Sequence, residues 1–320
     1  MPKRKDISLN ERQFILSLLK DSQRLDGRAI DQFRKVDLKF GDSLGHAEVQ
    51  LGKTRLVVRV SAEVSKPYED RPYEGTFIIT TDVSSMASPL FENNRSSDDE
   101  MLMTRLIEKA IRRSNALDLE SLCIVAGKSC WMIRADVHYL SYDGGLVDAS
   151  CIGVIAALMH FRRPDTSIDG DQTIIHSVEE RVPVPLSILH VPICVTFSFF
   201  KVDEVPSSTE NPVAAIPGSG QSANGVPTAD DSAILVIDAT AQEEALRHSE
   251  LTITINKNRD ICQIAKPGGY SVEALTILEC ANKAYKIATN ITDLIYRRLK
   301  EDESKRNAGN LVPLTAENER

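Results

Sequence analysis

The run SLNERQFILSLLKDSQR sets Phe14, Ile15, Leu18 and Leu19 at helical spacing behind Ser8 and Glu11, which fit a capping box. It predicts a short amphipathic helix ending near Asp21. VDLKF, HAEVQLG, TRLVVRVSAEV and TFIITTDVS follow, β-rich and punctuated by Gly, Asp and Pro, and read as strands. A second helix is predicted from about Asp98 to Ser114, with Ser97 and Glu100 as another capping box. SLCIVAG and CWMIRADVHYL then read as strands that lead into Tyr142, Asp143 and the pair Gly144–Gly145. Past that turn, Val147, Cys151, Val154, Ile155 and Leu158 return to helical spacing.

The order then repeats. LSILHVPICVTFSFF, AILVIDAT, ELTITINKN and DICQIAK read as strands, and a long helix is predicted from Ser271 to about Lys300. Its apolar side comprises Ala274, Leu275, Leu278, Ala281, Ala284, Ile287, Ile291, Leu294 and Ile295. Strands followed by helices, twice over, predict an α+β fold of two similar halves, alike in pattern and without a residue-level repeat. This places one domain over residues 1–300, interrupted at 203–231 by DEVPSSTENPVAAIPGSGQSANGVPTADD. That stretch has no aromatic residue and no periodicity, and reads as a flexible inserted loop. Residues 301–320 read as a polar tail that orders only on a partner.

Composition narrows the function. The 320 residues are 42% hydrophobic and 26% charged, enough apolar material for a sizeable core. No apolar run approaches the roughly 20 residues of a membrane span, and the N-terminus has no signal-peptide core. The six cysteines form no CxxC pair and read as buried thiols of a reducing compartment. The glycosylation pattern at Asn290 lies within a helical pattern and is discounted, and PKRK near the start is either an import signal or merely a basic end. The net charge is −8, so nucleic acid would have to be met by a local patch or beside a more basic partner.

Three constellations carry candidate chemistry. A glycine turn opening a buried helix is a ready anion site, because its first backbone N–H groups lack helical partners. Yet Leu146 and Val147 follow the glycines, and neither has a side-chain donor or charge. Arg105, Lys109, Arg112 and Arg113 fall within roughly a 100° arc of the second helix, opposite Met103, Ile107, Ala110 and Ile111. That stripe, read as free of acids, suits a phosphate backbone; it is equally a solvated face with cations favoured near a helix C-terminus. Asp238, Glu243 and Glu244 end a strand, either as acid, base or metal ligands or as solvated acids at a helix start. No HExxH, GxSxG or P-loop occurs, and the six histidines have no ligand spacing, so no metal or cofactor is expected.

Several of these segments together resemble the RNase PH-like family. They are RLDGR with GHAEVQLGKTRLVVRVSAEV; TRLIEKAIRRSNALDLESLCIVAGKSCWMIRADVHYLSYDGG; RRPDTSIDGDQTIIHSVEERVPVPLSILHVPICVTFSFF; and IDATAQEEALRHSELTITINKNRDICQIAKPGG. The resemblance spans roughly residues 8–300 and implies the RNase PH-like, ribosomal protein S5 domain 2-like fold. Catalytic members follow the glycine pair with a threonine or serine and an arginine that hold the attacking phosphate. Here those positions are Leu146 and Val147, and the acidic SSDDEML gives no match for a further catalytic arginine. Of the family's acid pair, the resemblance assigns the first to Asp238 and the second to Glu244. It therefore implies a degenerate phosphorolytic site and no enzyme activity.

The resemblance also implies partners. These are other RNase PH-like subunits of an RNA exosome ring (an obligate heterodimer within a hexamer), S1/KH cap subunits and associated hydrolytic nucleases. In such rings the basic helix faces the pore, which would set Arg105, Lys109, Arg112 and Arg113 against the RNA backbone. The setting would be nucleus, nucleolus and cytoplasm, in processing and decay of rRNA, mRNA and other RNAs, with no membrane contact. Two alternatives remain: an active phosphate-dependent 3'-5' exoribonuclease, and a purely structural ring subunit without RNA contact.

Overall fold

Alternating burial along the long strands sets the architecture. A computed structural model describes residues 7–89, 91, 98–169, 172–177, 180–201 and 233–317. In β3 (Thr54–Ser65), Thr54, Leu56, Val58 and Val60 point inward while Arg55 and Arg59 point out, as the two-residue period of a strand requires. β3 pairs antiparallel with β2 (His46–Leu51), and β2 with β1 (Val36–Phe40). On the other side β3 pairs antiparallel with β6 (Ser129–Ser141), which also carries β4 (Thr76–Asp82) in parallel and the short β5 (Cys123–Val125). The first sheet thus has the order β1-β2-β3-β6-β4. A second, antiparallel sheet has the order β12-β11-β13-β14, from β11 (Ile193–Lys201), β12 (Ala233–Ile237), β13 (Ser249–Ile255) and β14 (Ile261–Ala265).

Between the sheets lies α3 (Leu146–His160), which packs on β2 and β3 from one side and β11 from the other. Apart from Leu146, Val147 and Met159 its residues are buried, as befits a helix that is apolar all round. Its one buried acid, Asp148, ties the two halves together. The Thr196 N–H (2.9 Å) and hydroxyl (2.7 Å) both donate to its carboxyl group, and burial pushes that group's pKa well above the carboxylate range. α5 (Ala274–Glu317) covers β11 and β13 and reaches β1, burying Cys280, Ala284, Ala288, Ile291 and Ile295. α2 (Asp98–Ile111) packs against β4, α3 and β14. α1 (Leu9–Lys20), with its capping box at Ser8 and Glu11, closes a small separate core with Phe200 and Val236.

Several expectations change. α1 buries Ile15, Leu16 and Leu19 and leaves Phe14 exposed, so its stripe is rotated from the predicted one. α2 ends at Ile111, which puts Arg112 and Arg113 in the turn beyond it. Ser97, the proposed cap, lies outside the described residues. Leu186–His190 is not a strand, apart from an isolated bridge from Leu117 to Ile188, while β8 (Thr166–Asp169) and β9 (Gln172–Ile175) form an unforeseen hairpin. β7 (Arg162–Arg163) and β10 (Val184–Pro185) make a two-residue ladder. Ala274, Leu275 and Leu278 in the first turn of α5 are exposed rather than packed.

The largest correction concerns the C-terminus. Residues 301–317 do not form a loose tail; they continue α5. Arg306 donates to the Gly41 (2.6 Å) and Asp42 (2.8 Å) carbonyls and to Asp302 (2.6 Å), which also meets His160 at 3.1 Å. These contacts hold the helix to the β1–β2 turn. Residues 203–231 lie outside the described residues. Among the described residues no helix is long and apolar enough to cross a membrane.

Candidate functional site

The glycine turn sits where the two halves meet, and that meeting demands glycine. Gly144 (φ 79°) and Gly145 (φ 67°) both adopt the left-handed conformation. A Cβ on Gly144 would stand 2.5 Å from the Ala239 carbonyl oxygen; one on Gly145 would stand 2.5 Å from Arg34 Nη2 and 2.9 Å from Asp238 Oδ1. The pair is thus fixed by close approach to the corner between β12 and α4 (Ala241–Glu244), whatever becomes of any anion site. Leu146 and Val147 are half-buried, pack against the main core and line the adjoining cleft.

Asp238 is fully buried at φ 51° and is not free for chemistry. Its Oδ2 accepts from the Arg34 backbone N–H (2.9 Å), Arg34 Nε (2.8 Å) and Arg28 Nη1 (3.2 Å), and Oδ1 accepts from Arg34 Nη2 (2.6 Å). Arg34 also donates to the Asp143 (2.7 Å) and Gly144 (3.1 Å) carbonyls, so one guanidinium joins both halves. Burial alone would lower the Arg34 pKa, but hydrogen bonding and the charge of Asp238 hold it above its ordinary value. Glu243 forms a second buried pair: Arg24 donates to its two oxygens at 3.1 and 2.6 Å and to the Ile237 and Asp238 carbonyls, each at 2.9 Å. Of the carboxylates expected as acid, base or metal ligands, Asp238 is therefore paired across the two halves and Glu243 ties the N-terminal segment to α4. Among the described residues no cluster of His, Cys, Asp and Glu suits a metal ion.

Glu244 has a different role. Its Oε1 accepts from the Gly145 backbone N–H at 2.8 Å, and its Oε2 from the Tyr142 hydroxyl at 2.9 Å. Arg247 approaches Oε1 at 3.8 Å and pairs with Glu250. Burial first, and the Glu244 charge second, raise the pKa of the Tyr142 hydroxyl, so it remains a donor.

A cleft of about 1410 Å³ brings Arg105 and Lys109 of α2 together with Gly145, Leu146, Val147 and Glu244. Arg112 and Arg113 do not line it. Nor is the stripe free of acid: Glu108 pairs with Arg105 (3.5 Å) and Arg112 (2.8 Å), one helical turn away on either side. Lys109 and Arg113 are exposed and have no ion-pair partner among the described residues. Sequence reasoning missed Arg24, Arg28, Arg34 and Tyr142. For Arg24 and Arg28 the one available signal was RLDGR, which holds both cations; Arg34 and Tyr142 lie outside it.

An α+β fold in two halves joined across a glycine turn defines a class, and comparison with known proteins names it. The model of the 3' exoribonuclease (RNase PH) family matches through domain 1 at residues 32–164 and domain 2 at residues 223–287. The chain belongs to this family. Among its relatives, "Exosome complex component RRP45" of Saccharomyces cerevisiae is 50% identical over 100% of this chain and 99% of its own length. The Homo sapiens protein of the same name is 38% identical over 93% of this chain and 62% of its own. Of solved structures, an Archaeoglobus fulgidus exosome with RNA bound to the active site superposes with TM-score 0.69 at 27% identity, covering 88% of this chain and 96% of that one. An archaeal exosome core gives TM-score 0.65 at 26% identity, over 89% and 96%.

Proposed function

We propose that this chain is a non-catalytic RNase PH-like subunit of an RNA exosome ring. It pairs with a second RNase PH-like subunit, helps to close a hexamer capped by S1/KH subunits, and lines the path by which RNA reaches an associated hydrolytic nuclease. The observation that carries the reading is the closed glycine turn. Phosphorolysis needs an attacking phosphate held by cations and donors. Here the turn is followed by apolar Leu146 and Val147, its N-terminal N–H is taken by Glu244, and Asp238 is locked by Arg34. Relatives whose names place them in the exosome, similar over the whole length of this chain, support membership of the ring. Arg105 and Lys109, facing the cleft, serve as phosphate-backbone contacts, with Arg112 and Arg113 beside them. The work falls in nucleus, nucleolus and cytoplasm, on rRNA, mRNA and other RNAs.

Native mass spectrometry after co-expression with RNase PH-like partners tests this. One copy of the chain in a six-membered ring is expected; a stable, well-behaved monomer at micromolar concentration in their presence contradicts it. The pairing of Glu108 with both Arg105 and Arg112 favours a second reading, a ring subunit that does not touch RNA.

A further inference from the structure

We infer that Glu244 is a resident anion: its carboxylate fills the anion seat of the glycine turn and so excludes inorganic phosphate from this site. The inference rests on the non-catalytic reading and deepens it, because a site that merely lacks ligands is distinct from one that is filled.

The geometry points to a seat with an occupant. A helix start presents backbone N–H groups and the positive end of its dipole, and both favour an anion. The Gly145 N–H, which a free anion would use, donates to Glu244 Oε1 at 2.8 Å. The other oxygen of the same carboxylate accepts from the Tyr142 hydroxyl at 2.9 Å, a group held in its donor form by burial. Arg247 adds a positive charge at 3.8 Å and is itself shared with Glu250. A backbone donor and a side-chain donor from the β6–α3 turn, with a cation just past α4, thus converge on one carboxylate. It is carried on α4, whose position is fixed by Arg24 through Glu243. Because the anion is tethered, its local concentration is high and an external anion competes poorly. Gly145, Leu146 and Glu244 all line the cleft, so emptying the seat would leave a site that phosphate can enter.

The test measures hydrogen exchange of the peptide spanning residues 142–149 in the assembled complex, with and without millimolar inorganic phosphate. Wild type should show no phosphate-dependent protection there. Glu244→Ala and Glu244→Ser, which empty the seat, should each gain several-fold slower exchange on phosphate addition, while Glu244→Gln, which still fills it, should gain far less. The serine variant carries the measurement if the alanine variant does not assemble. Loss of assembly by both variants that phosphate does not rescue overturns the inference, because an emptied seat should be refilled by the anion. Phosphate protection in the wild type overturns both this inference and the non-catalytic reading. No protection in either emptied variant overturns the inference alone. Equal gain in Glu250→Gln would move the effect to release of Arg247 and also overturn it.

Discussion

Asp238 keeps a carboxylate wholly out of water only because Arg34 and Arg28 close on it. Breaking a buried pair from one side leaves an uncompensated charge, which costs more than the pair itself contributes. Asp238→Asn should therefore lower the unfolding free energy by about 3–5 kcal/mol, read by denaturant titration of the complex. Arg34→Lys should also destabilise, since an ammonium cannot reproduce the fork that reaches Asp238, Asp143 and Gly144 together. Asp238 and Glu244 were visible in the sequence as acids at the end of a strand, but their roles were not. Arg34 lies 204 residues from Asp238 and Arg28 lies 210 away, so no local pattern connects them. Leu146 and Val147 were legible as residues with no side-chain donor or charge to offer a phosphate, but that Glu244 takes the Gly145 backbone N–H was not.

At the scale of elements, α2 and the end of α5 are where charge decides the outcome. Arg112 is already balanced by Glu108, whereas Lys109 is not, so Lys109→Glu should weaken RNA binding of verified intact rings more than Arg112→Glu. The joint reversal of Arg105, Lys109 and Arg112 should weaken unrelated sequences alike. It should also flatten the slope of log affinity against log salt by about 0.7–0.9 for each phosphate no longer neutralised. An unchanged slope favours the ring subunit that does not touch RNA. The stripe was legible by helical spacing; its acid was not, because Glu108 lies just outside the arc and reaches in by a three- or four-residue step. Against the end of α5, His160 of α3 accepts through Nδ1 from the Gly45 N–H at 3.1 Å, so its other nitrogen faces Asp302. Burial lowers the His160 pKa below its ordinary value of 6.5. A lowered folded value favours the neutral ring in the fold. Its stabilisation is complete above about pH 6.5 and is lost as pH falls through the folded value. Stability measured from pH 7.5 downward should drop more steeply in wild type than in His160→Gln. Truncation after Lys300 removes Asp302 and Arg306 and should lower the melting temperature, which a dispensable tail would not do.

Across the whole molecule, the two strand-then-helix halves were readable from periodicity, because β3, β6, β11 and α3 are long and buried in unmistakable patterns. The local hairpin β8–β9 and the turn that ends α2 were not; nor was the docking of α5 beyond Lys300, which depends on contacts with the distant β1–β2 turn. At the site, glycines that suggest a phosphate loop are required by packing, because Ala239, Arg34 and Asp238 press against them. On the non-catalytic reading proposed above, this turn serves packing, and its anion seat is filled from within by Glu244. The decisive experiment is to incubate the chain with its ring partner, single-stranded RNA and inorganic phosphate, and to resolve the released nucleotides by chromatography. No nucleoside diphosphate above the phosphate-free control is expected. Phosphate-dependent release of nucleoside diphosphates that disappears in Glu244→Gln, with the complex intact, would contradict the non-catalytic reading.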